Sequence, residues 1–360
     1  MSGERSVDSR DGSACGCMLG LAIGDALGAP VEFSDRAAIL ARFGPEGVTD
    51  FVARRGQPAG AYTDDTQMSI ATARGILDWK AQLEGAGASP EAGRGDDARP
   101  RVVEAADLDV LALAVWRRYV EWSNSPECPL GSPGHRTLAT IHAGVPLTLR
   151  DPVNPGARGC GGVMRVAPLG LIGLGRLAFE AAARCATLTH RHPISDTSSG
   201  FLALLIDRLV SGGSLDEAVD EARSELLRWP GHEAALDVVD SAARLAAGQL
   251  GDYEAIGHIG HVEVEEPTAK GKGWVADEAL GIALFCALRH RDDVAAALRA
   301  AVNISGDSDS TGSITGAILG AALGDDAIPE TWRERVANRE LLIDLGGRLA
   351  ACAARGGAAV

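Results

Sequence analysis

Two polar runs in this 360-residue sequence consist mostly of residues able to bind a hard cation or move a proton: Thr63-Asp64-Asp65-Thr66 and Gly306-Asp307-Ser308-Asp309-Ser310-Thr311-Gly312. Magnesium and manganese take octahedral shells of carboxylate, hydroxyl and water oxygens. The two runs supply that donor set without sulfur or imidazole. Asp307 and Asp309 alternate with Ser308, so in extended backbone both carboxylates project to one side, and Ser310, Thr63 and Thr66 add neutral oxygens. Most of the chain separates the runs; a fold that joined them would build a hard oxygen-ligand site. A competing reading is capping, because both runs precede apolar helical segments whose first N–H groups need acceptors and whose positive end favours carboxylates. A calcium EF-hand starting at Asp307 fails, since its twelfth position is Ile318 rather than Glu.

Other polar residues carry two readings each. Glu32, in Pro30-Val31-Glu32-Phe33, is either a partly buried carboxylate beside the site or an exposed one. Asp25 lies inside an apolar helix, where a lone carboxylate needs a donor, and a structural hydrogen bond is the expected role. Gly156-Ala157-Arg158-Gly159-Cys160-Gly161-Gly162 opens a helical segment; successive glycines there can turn N–H groups toward an anion, or make only a tight turn. No Gly-Lys-Ser/Thr follows, so it is not a Walker A loop. His190-Arg191-His192-Pro193 offers two imidazoles but no third ligand at zinc spacing, so hydrogen bonding is expected of it. No nucleophile elbow is present.

The elements that must position these residues read as helices. Cys15–Ala29 is a continuous small-apolar run in which Gly16, Gly20, Gly24 and Gly28 leave one face as bare backbone, fit for close approach by another helix or a ligand. Further helices are expected at 67–79, 108–122, 136–143, 163–174, 178–189, 199–210, 215–227, 232–245, 277–289, 294–301, 311–323 and 341–354. Few aromatics (4%) and abundant Ala, Leu and Gly favour packed helices over sheets. The expectation is an all-α, single compact multi-helix domain over 13–355, with a disordered tail over 1–12 and a flexible insertion over 85–101.

Composition limits the partners. With 34 Lys+Arg against 49 Asp+Glu the formal charge is −15, the wrong sign for a nucleic-acid footprint. An anionic ligand must therefore be held by backbone N–H groups or cations. No run of eighteen uninterrupted apolar residues and no signal-like start is seen, so no membrane partner is expected. Seven cysteines without a CxxC pair read as buried reduced thiols. A cytoplasmic monomer is the expectation.

In order, Gly20-Leu21-Ala22-Ile23-Gly24-Asp25-Ala26-Leu27-Gly28 with Glu32, Thr63-Asp64-Asp65-Thr66, Gly159-Cys160-Gly161-Gly162-Val163-Met164-Arg165, Leu188-Thr189-His190-Arg191-His192-Pro193 and Gly306-Asp307-Ser308-Asp309-Ser310-Thr311-Gly312 resemble the ADP-ribosylglycohydrolases over nearly the whole chain. The resemblance implies an all-α fold with a central cleft holding two Mg2+ or Mn2+ ions, and hydrolysis of the bond between ribose and a modified side chain. The implied metal ligands are Thr63, Asp64, Asp65, Asp307, Asp309 and Ser310, with Glu32 also matching a ligand position. Asp65, Asp64 and Glu32 are the implied proton-handling carboxylates, their individual roles undivided. Gly156, Arg158, Gly159, Cys160, Gly161 and Gly162 match a diphosphate and distal-ribose cradle, His190 a ligand contact, and Gly273-Trp274-Val275 the adenosine side. The implied ligands are ADP-ribose and an ADP-ribosylated protein, with arginine linkage favoured by the Asp-Ser-Asp-Ser-Thr-Gly and Thr-His-x-His-Pro forms, and an O-linked serine substrate as the alternative. Cys160 departs from the asparagine frequent in the glycine-rich loop, and Cys128 or Pro129 stands where some relatives carry an acid, Glu127 being offset. A non-catalytic binder that occludes a transferase is the reading from a different class; intact ligand motifs speak for the enzyme.

Overall fold

Two helices with glycine at every fourth position can bring their backbones into contact, and the fold is built on such a pair. In the computed structural model, which describes residues 7–54, 56–86, 103–126, 156–260 and 271–354, helix α1 (Val7–Gly28) runs antiparallel to α12 (Ser308–Leu323). Gly16 faces Gly320, Gly20 faces Gly316, Gly24 faces Gly312 and Gly28 faces Ser308; a Cβ on any of these α1 glycines would overlap the partner's carbonyl oxygen. Helix beside helix is thus what occupies the bare face. By length and composition the segment Arg10–Val31 would suffice to cross a membrane, yet 94% of its apolar 18-residue window is buried inside the protein. Its apolarity serves packing.

The remaining described helices are α2 (Arg36–Phe43), α3 (Asp64–Ala86), α4 (Asp107–Ser123), α5 (Leu177–Thr187), α6 (Pro193–Val210), α7 (Leu215–Leu226), α8 (Glu233–Ala246), α9 (Asp252–Gly257), α10 (Ala276–Arg289), α11 (Val294–Val302), α13 (Glu330–Arg333) and α14 (Arg339–Ala354). Helix α14 closes on α1, α3 pairs with α4, α5 with α6, and α10 and α11 flank α12. One contiguous apolar core runs through them. No strand is present among the described residues; isolated bridges join Gly159 to Val275 and Lys272 to Gly306.

Most expected helices are found within a few residues, with three differences of substance. The segment 163–174 is not an α-helix: after a turn it forms a 3-10 helix, Ala167–Ile172, ended by left-handed Gly173. Pro168 withholds a donor there, and Gly170 packs against the Ala203 carbonyl and Ile206. Helix α1 begins at Val7, inside the stretch read as a tail, and α3 runs through residues 85–86, into the stretch read as an insertion. The helix expected at 136–143 and the rest of the insertion, 87–101, lie outside the described residues.

Gly20→Ala or Gly316→Ala, by forcing the seam apart, is expected to destabilise the protein by about 3 kcal/mol or more. The control Gly347→Ala, inside α14 with open space around its Cβ position, is expected to be neutral or stabilising by up to ~1 kcal/mol. Thermal or urea unfolding of both variants checks the pair; equal losses would remove the seam from its central place.

Candidate active site

The glycine seam carries Asp25 to the N-terminus of α3. This carboxylate is fully buried and accepts from Thr63 N (2.9 Å), Thr66 N (3.0 Å) and Thr66 Oγ1 (2.6 Å). A residue of α1 thereby caps α3, in the structural role expected of it. Burial pushes the Asp25 carboxyl up to about 6, opposed by the hydrogen bonds from Thr66 and Thr63. Capping by Asp25 leaves the Asp64-Asp65 pair available for other work. On the opposite side, Asp307 occupies the N-cap position of α12 but makes no capping hydrogen bond.

The two polar runs do meet. Ser310 Oγ donates to Asp65 Oδ1 at 2.8 Å across the α3–α12 boundary, and Thr63 Oγ1 lies 3.4 Å from Asp65 Oδ2. Asp65, Asp307 and Asp309 are 4%, 3% and 3% exposed, whereas Asp64 is half-buried. Cys160 donates its thiol to Asp307 Oδ2 at 3.1 Å, and Ser310 Oγ stands 3.4 Å from the same sulfur. Burial pushes this thiol well up, with the charges of Asp307 and Asp65 adding, so it remains protonated and serves as a donor.

Glu32 joins from the loop after α1. Phe33, which follows it, adopts the left-handed conformation (φ 55°), rare outside glycine, and its N–H donates to Gly306 O at 2.7 Å. That turn fixes Glu32 at the mouth of the cluster. Glu32 as a residue is exposed, but its carboxyl is pushed up to about 7 by desolvation and then by the charges of Asp307 and Asp64, with Arg54 offsetting part. Nothing in the sequence pattern singles out Arg54.

The cluster is electrostatically uncompensated. Asp65 and Asp309 are both raised well above the usual carboxylate range, first by burial and then by surrounding carboxylates; Asp307 is raised by burial despite hydrogen bonds with Asp309, Cys160 and Ser310. Among the described residues no ion pair reaches any of these three or Glu32. No group of three or more acidic, His or Cys side chains there stands in ready coordination geometry. The donor chemistry nonetheless fits a hard divalent cation: desolvated carboxylates and hydroxyls, mutually repelling, without a protein counter-charge.

Beside the cluster the glycine-rich loop and the 271–276 segment form its wall. Cys160 N donates to Trp274 O (2.9 Å), Ala276 N to Arg158 O (3.0 Å) and Asp307 N to Lys272 O (2.8 Å). Gly273-Trp274-Val275 therefore stands between the Gly159–Gly162 turn and Asp307, tying the two together. His190 packs against that turn: a Cβ on Gly161 would lie 2.6 Å from its Cε1, and one on Gly162 would overlap Ser195 Oγ. His192 is turned elsewhere and caps α6, accepting from Ile194 N. Gly156 and Arg158 are exposed at the start of the loop. Cys128, Glu127 and Pro129 lie outside the described residues.

An all-α domain with an acidic cluster beside a glycine-rich loop defines the class of protein that the motifs resemble. Residues 6–358 match the family model of the ADP-ribosylglycohydrolases, and the chain belongs to that family. ADP-ribosyl-[dinitrogen reductase] glycohydrolase of Rhodospirillum rubrum is 31% identical over 216 residues, which are 58% of this chain and 62% of that protein, under two thirds of its length. ADP-ribosylarginine hydrolase Tri1 of Serratia proteamaculans (strain 568) is 26% identical over 343 residues, 93% of this chain and 78% of that protein. A solved chain described as an ADP-ribosylglycohydrolase-related protein complex shares the fold, with a TM-score of 0.67 and 24% identity over 96% of this chain and 99% of that one.

The raised carboxyls give stability a direction with pH. Each binds its proton more tightly folded than unfolded, so the folded state holds more protons between the two pKa values and stability falls as pH rises through that interval. For Asp25 and Glu32 the interval runs from 3.8 to about 6 and from 4.5 to about 7. Surface carboxylates with lowered pKa, such as Asp216 and Asp240, titrate below it. In divalent-free buffer the melting midpoint is expected to drop from pH 5 to pH 8, and Asp309→Asn to recover about 1 kcal/mol at pH 8. A flat or rising profile in calorimetry would contradict the uncompensated cluster.

Proposed function

We propose that this chain hydrolyses the bond between ADP-ribose and a modified protein side chain, with ADP-ribosyl-arginine as the preferred linkage and two divalent ions, Mg2+ or Mn2+, as cofactor. The observation that carries the reading is the set of buried, unpaired carboxylates of Asp65, Asp307 and Asp309, with Glu32 at their mouth, tied through Gly273-Trp274-Val275 to a glycine-rich loop. Arginine linkage is supported by the named activity of the Serratia relative and by the Asp-Ser-Asp-Ser-Thr-Gly form. The buried free state of all six described cysteines supports a reducing, cytoplasmic setting.

Thr63, Asp64, Asp65, Asp307, Asp309 and Ser310 would hold the ions. When bound, they supply positive charge and Lewis acidity, which reverses the sign of the cluster and makes nearby water more acidic. The rest is done by the chain itself. Cys160, as a thiol donor, orients Asp307. Glu32 combines solvent access with a carboxyl pushed up to about 7, the combination suited to exchanging a proton with water at neutral pH. Asp65 and Asp64 are the other proton-handling candidates. The short 3-10 turn at Cys160–Gly162 and His190 face the place where the diphosphate is received.

The test is incubation with an ADP-ribosyl-arginine peptide and an ADP-ribosyl-serine peptide, with Mg2+, with Mn2+ and with chelator. Cation-dependent release of ADP-ribose from the arginine peptide is expected. Asp65→Asn should cut that release about a thousandfold while leaving the far-UV circular dichroism unchanged. Release from the serine peptide alone would reassign the linkage. Absence of release from both, together with tight binding to an ADP-ribosyltransferase, would replace the enzyme with an occluding binder.

A further inference from the structure

Segment 272–276 bonds to both halves of the site, so whatever fixes this segment fixes their separation. Toward the acidic cluster, Lys272 N donates to Ser305 O (2.9 Å) and Asp307 N donates to Lys272 O (2.8 Å). The approach is close, since a Cβ on Gly306 would lie 2.0 Å from Lys272 O. Toward the glycine-rich loop, Trp274 O accepts from Cys160 N and Ala276 N donates to Arg158 O. Left-handed glycines bracket Lys272, with φ 71° at Gly271 and 79° at Gly273. Apart from these bridges the segment has no regular ladder, and its remaining donors need acceptors elsewhere.

Glu278, the third residue of α10, supplies them. Its Oε2 accepts from Gly273 N at 3.2 Å and its Oε1 from Lys272 Nζ at 3.2 Å, while the same ammonium donates to Ile259 O at 2.6 Å. The Glu278 side chain is 13% exposed. Gly260 makes room for it, because a Cβ there would lie 2.2 Å from Oε1. An acid in the first turn of a helix is favoured by the helix dipole wherever its side chain points; this one turns back past Val275 to hold two consecutive residues of the segment. The Lys272 ammonium is thereby directed to Ile259 O and Glu278 rather than to the carboxylates of the cluster.

We infer that Glu278 is a positioning residue for the cation site: by clasping Lys272 and Gly273 it sets where Asp307 stands relative to Asp65 and the glycine-rich loop. Asp307 occupies the N-cap position of α12 without a capping bond from its side chain. Its N–H is held from outside, by Lys272 O, and that hold is only as firm as the segment that carries the carbonyl. Without the Glu278 carboxylate, Gly273 N and the ammonium lose an acceptor and the segment can turn about its two glycines. A shifted Asp307 oxygen then fits a hard cation's octahedral shell poorly. Glu278 touches neither cation nor substrate, and its role is one of geometry. The clasp stands on these contacts, while its use in cation uptake rests on the cofactor reading proposed above.

Two measurements on the full-length protein test this: Mn2+ binding followed by electron paramagnetic resonance, and amide hydrogen exchange of the peptide spanning 305–310, taken in chelator. Glu278→Ala should weaken Mn2+ binding about tenfold and speed exchange at 305–310, with the far-UV circular dichroism unchanged. Glu278→Gln, which keeps an oxygen for Gly273 N but no charge for Lys272, should fall between the Ala variant and wild type. The control Arg223→Ala removes an ion pair to Asp240 that joins α7 to α8 through bonds of 2.6 and 2.8 Å, and should leave both readouts at wild-type values. Wild-type Mn2+ affinity or wild-type protection in Glu278→Ala overturns the inference, as does an equal loss in Arg223→Ala. If the Ala variant does not fold, the Gln variant decides by the same two readouts. A wild-type chain that takes up no Mn2+ refutes the cofactor reading rather than the clasp, which the exchange data alone then decide.

Discussion

Direct contact of two helix backbones is the constraint on which the rest of this structure depends. Glycine at four successive turns of α1, facing glycine or Ser308 on α12, removes the side-chain layer that normally separates helices. Sliding of the pair is opposed, because a shift would set a carbonyl oxygen of one helix against side chains of the other. One end of this rigid seam is the site. Gly28 meets Ser308, so the chain leaving α1 toward Glu32 and the chain entering α12 through Asp307 are forced side by side. Asp25, one turn back, reaches across to cap α3 and fixes where Asp65 stands.

That rigidity answers an electrostatic problem. Carboxylates gathered away from water repel each other, and a pliant scaffold would let them separate and hydrate. Here Asp307 and Asp309 are held at the start of a helix whose backbone lies against α1, and Asp65 on one capped from α1. The repulsion appears as raised carboxyl pKa values rather than as displacement. Stability is lost locally at the site, which is the usual relation between a fold and its reactive centre.

Legibility in the sequence followed how local the determining physics was. The all-α class and the long helices were readable from apolar periodicity because each segment buries its own face. The bare face of α1 is readable too, but its partner is not, although Gly312, Gly316, Gly320 and Gly324 repeat the same spacing: the seam is a contact between two distant stripes running in opposite directions. At 163–174 Pro168 is a local signal against an α-helix, because it withholds a donor, while the close packing of Gly170 against α6 is recorded in no local pattern. The eight-residue α2 lies outside the helices expected from periodicity, since it is short and buries only Ile39, although Asp35 and Gly44 bound it with ordinary cap signals. For the polar runs, sequence left metal binding and capping both open; Asp25 as a cap in trans was the missing piece, since a contact between residues 25 and 66 cannot be read from either run.

The net charge of −15 takes on a positional meaning from this arrangement. Arg165, buried behind the glycine-rich loop, and Arg54, beside Glu32, are cations kept near the site without being spent on its carboxylates in ion pairs. Had either closed a salt bridge with Asp65, Asp307 or Asp309, the cluster would lose the uncompensated charge that suits it to a divalent ion. The fold instead routes Arg165 to a carbonyl, a hydroxyl and an aromatic face, all neutral acceptors. Acidic cluster and anion-receiving loop can then lie side by side with their charges kept separate, each available to a ligand of the opposite sign.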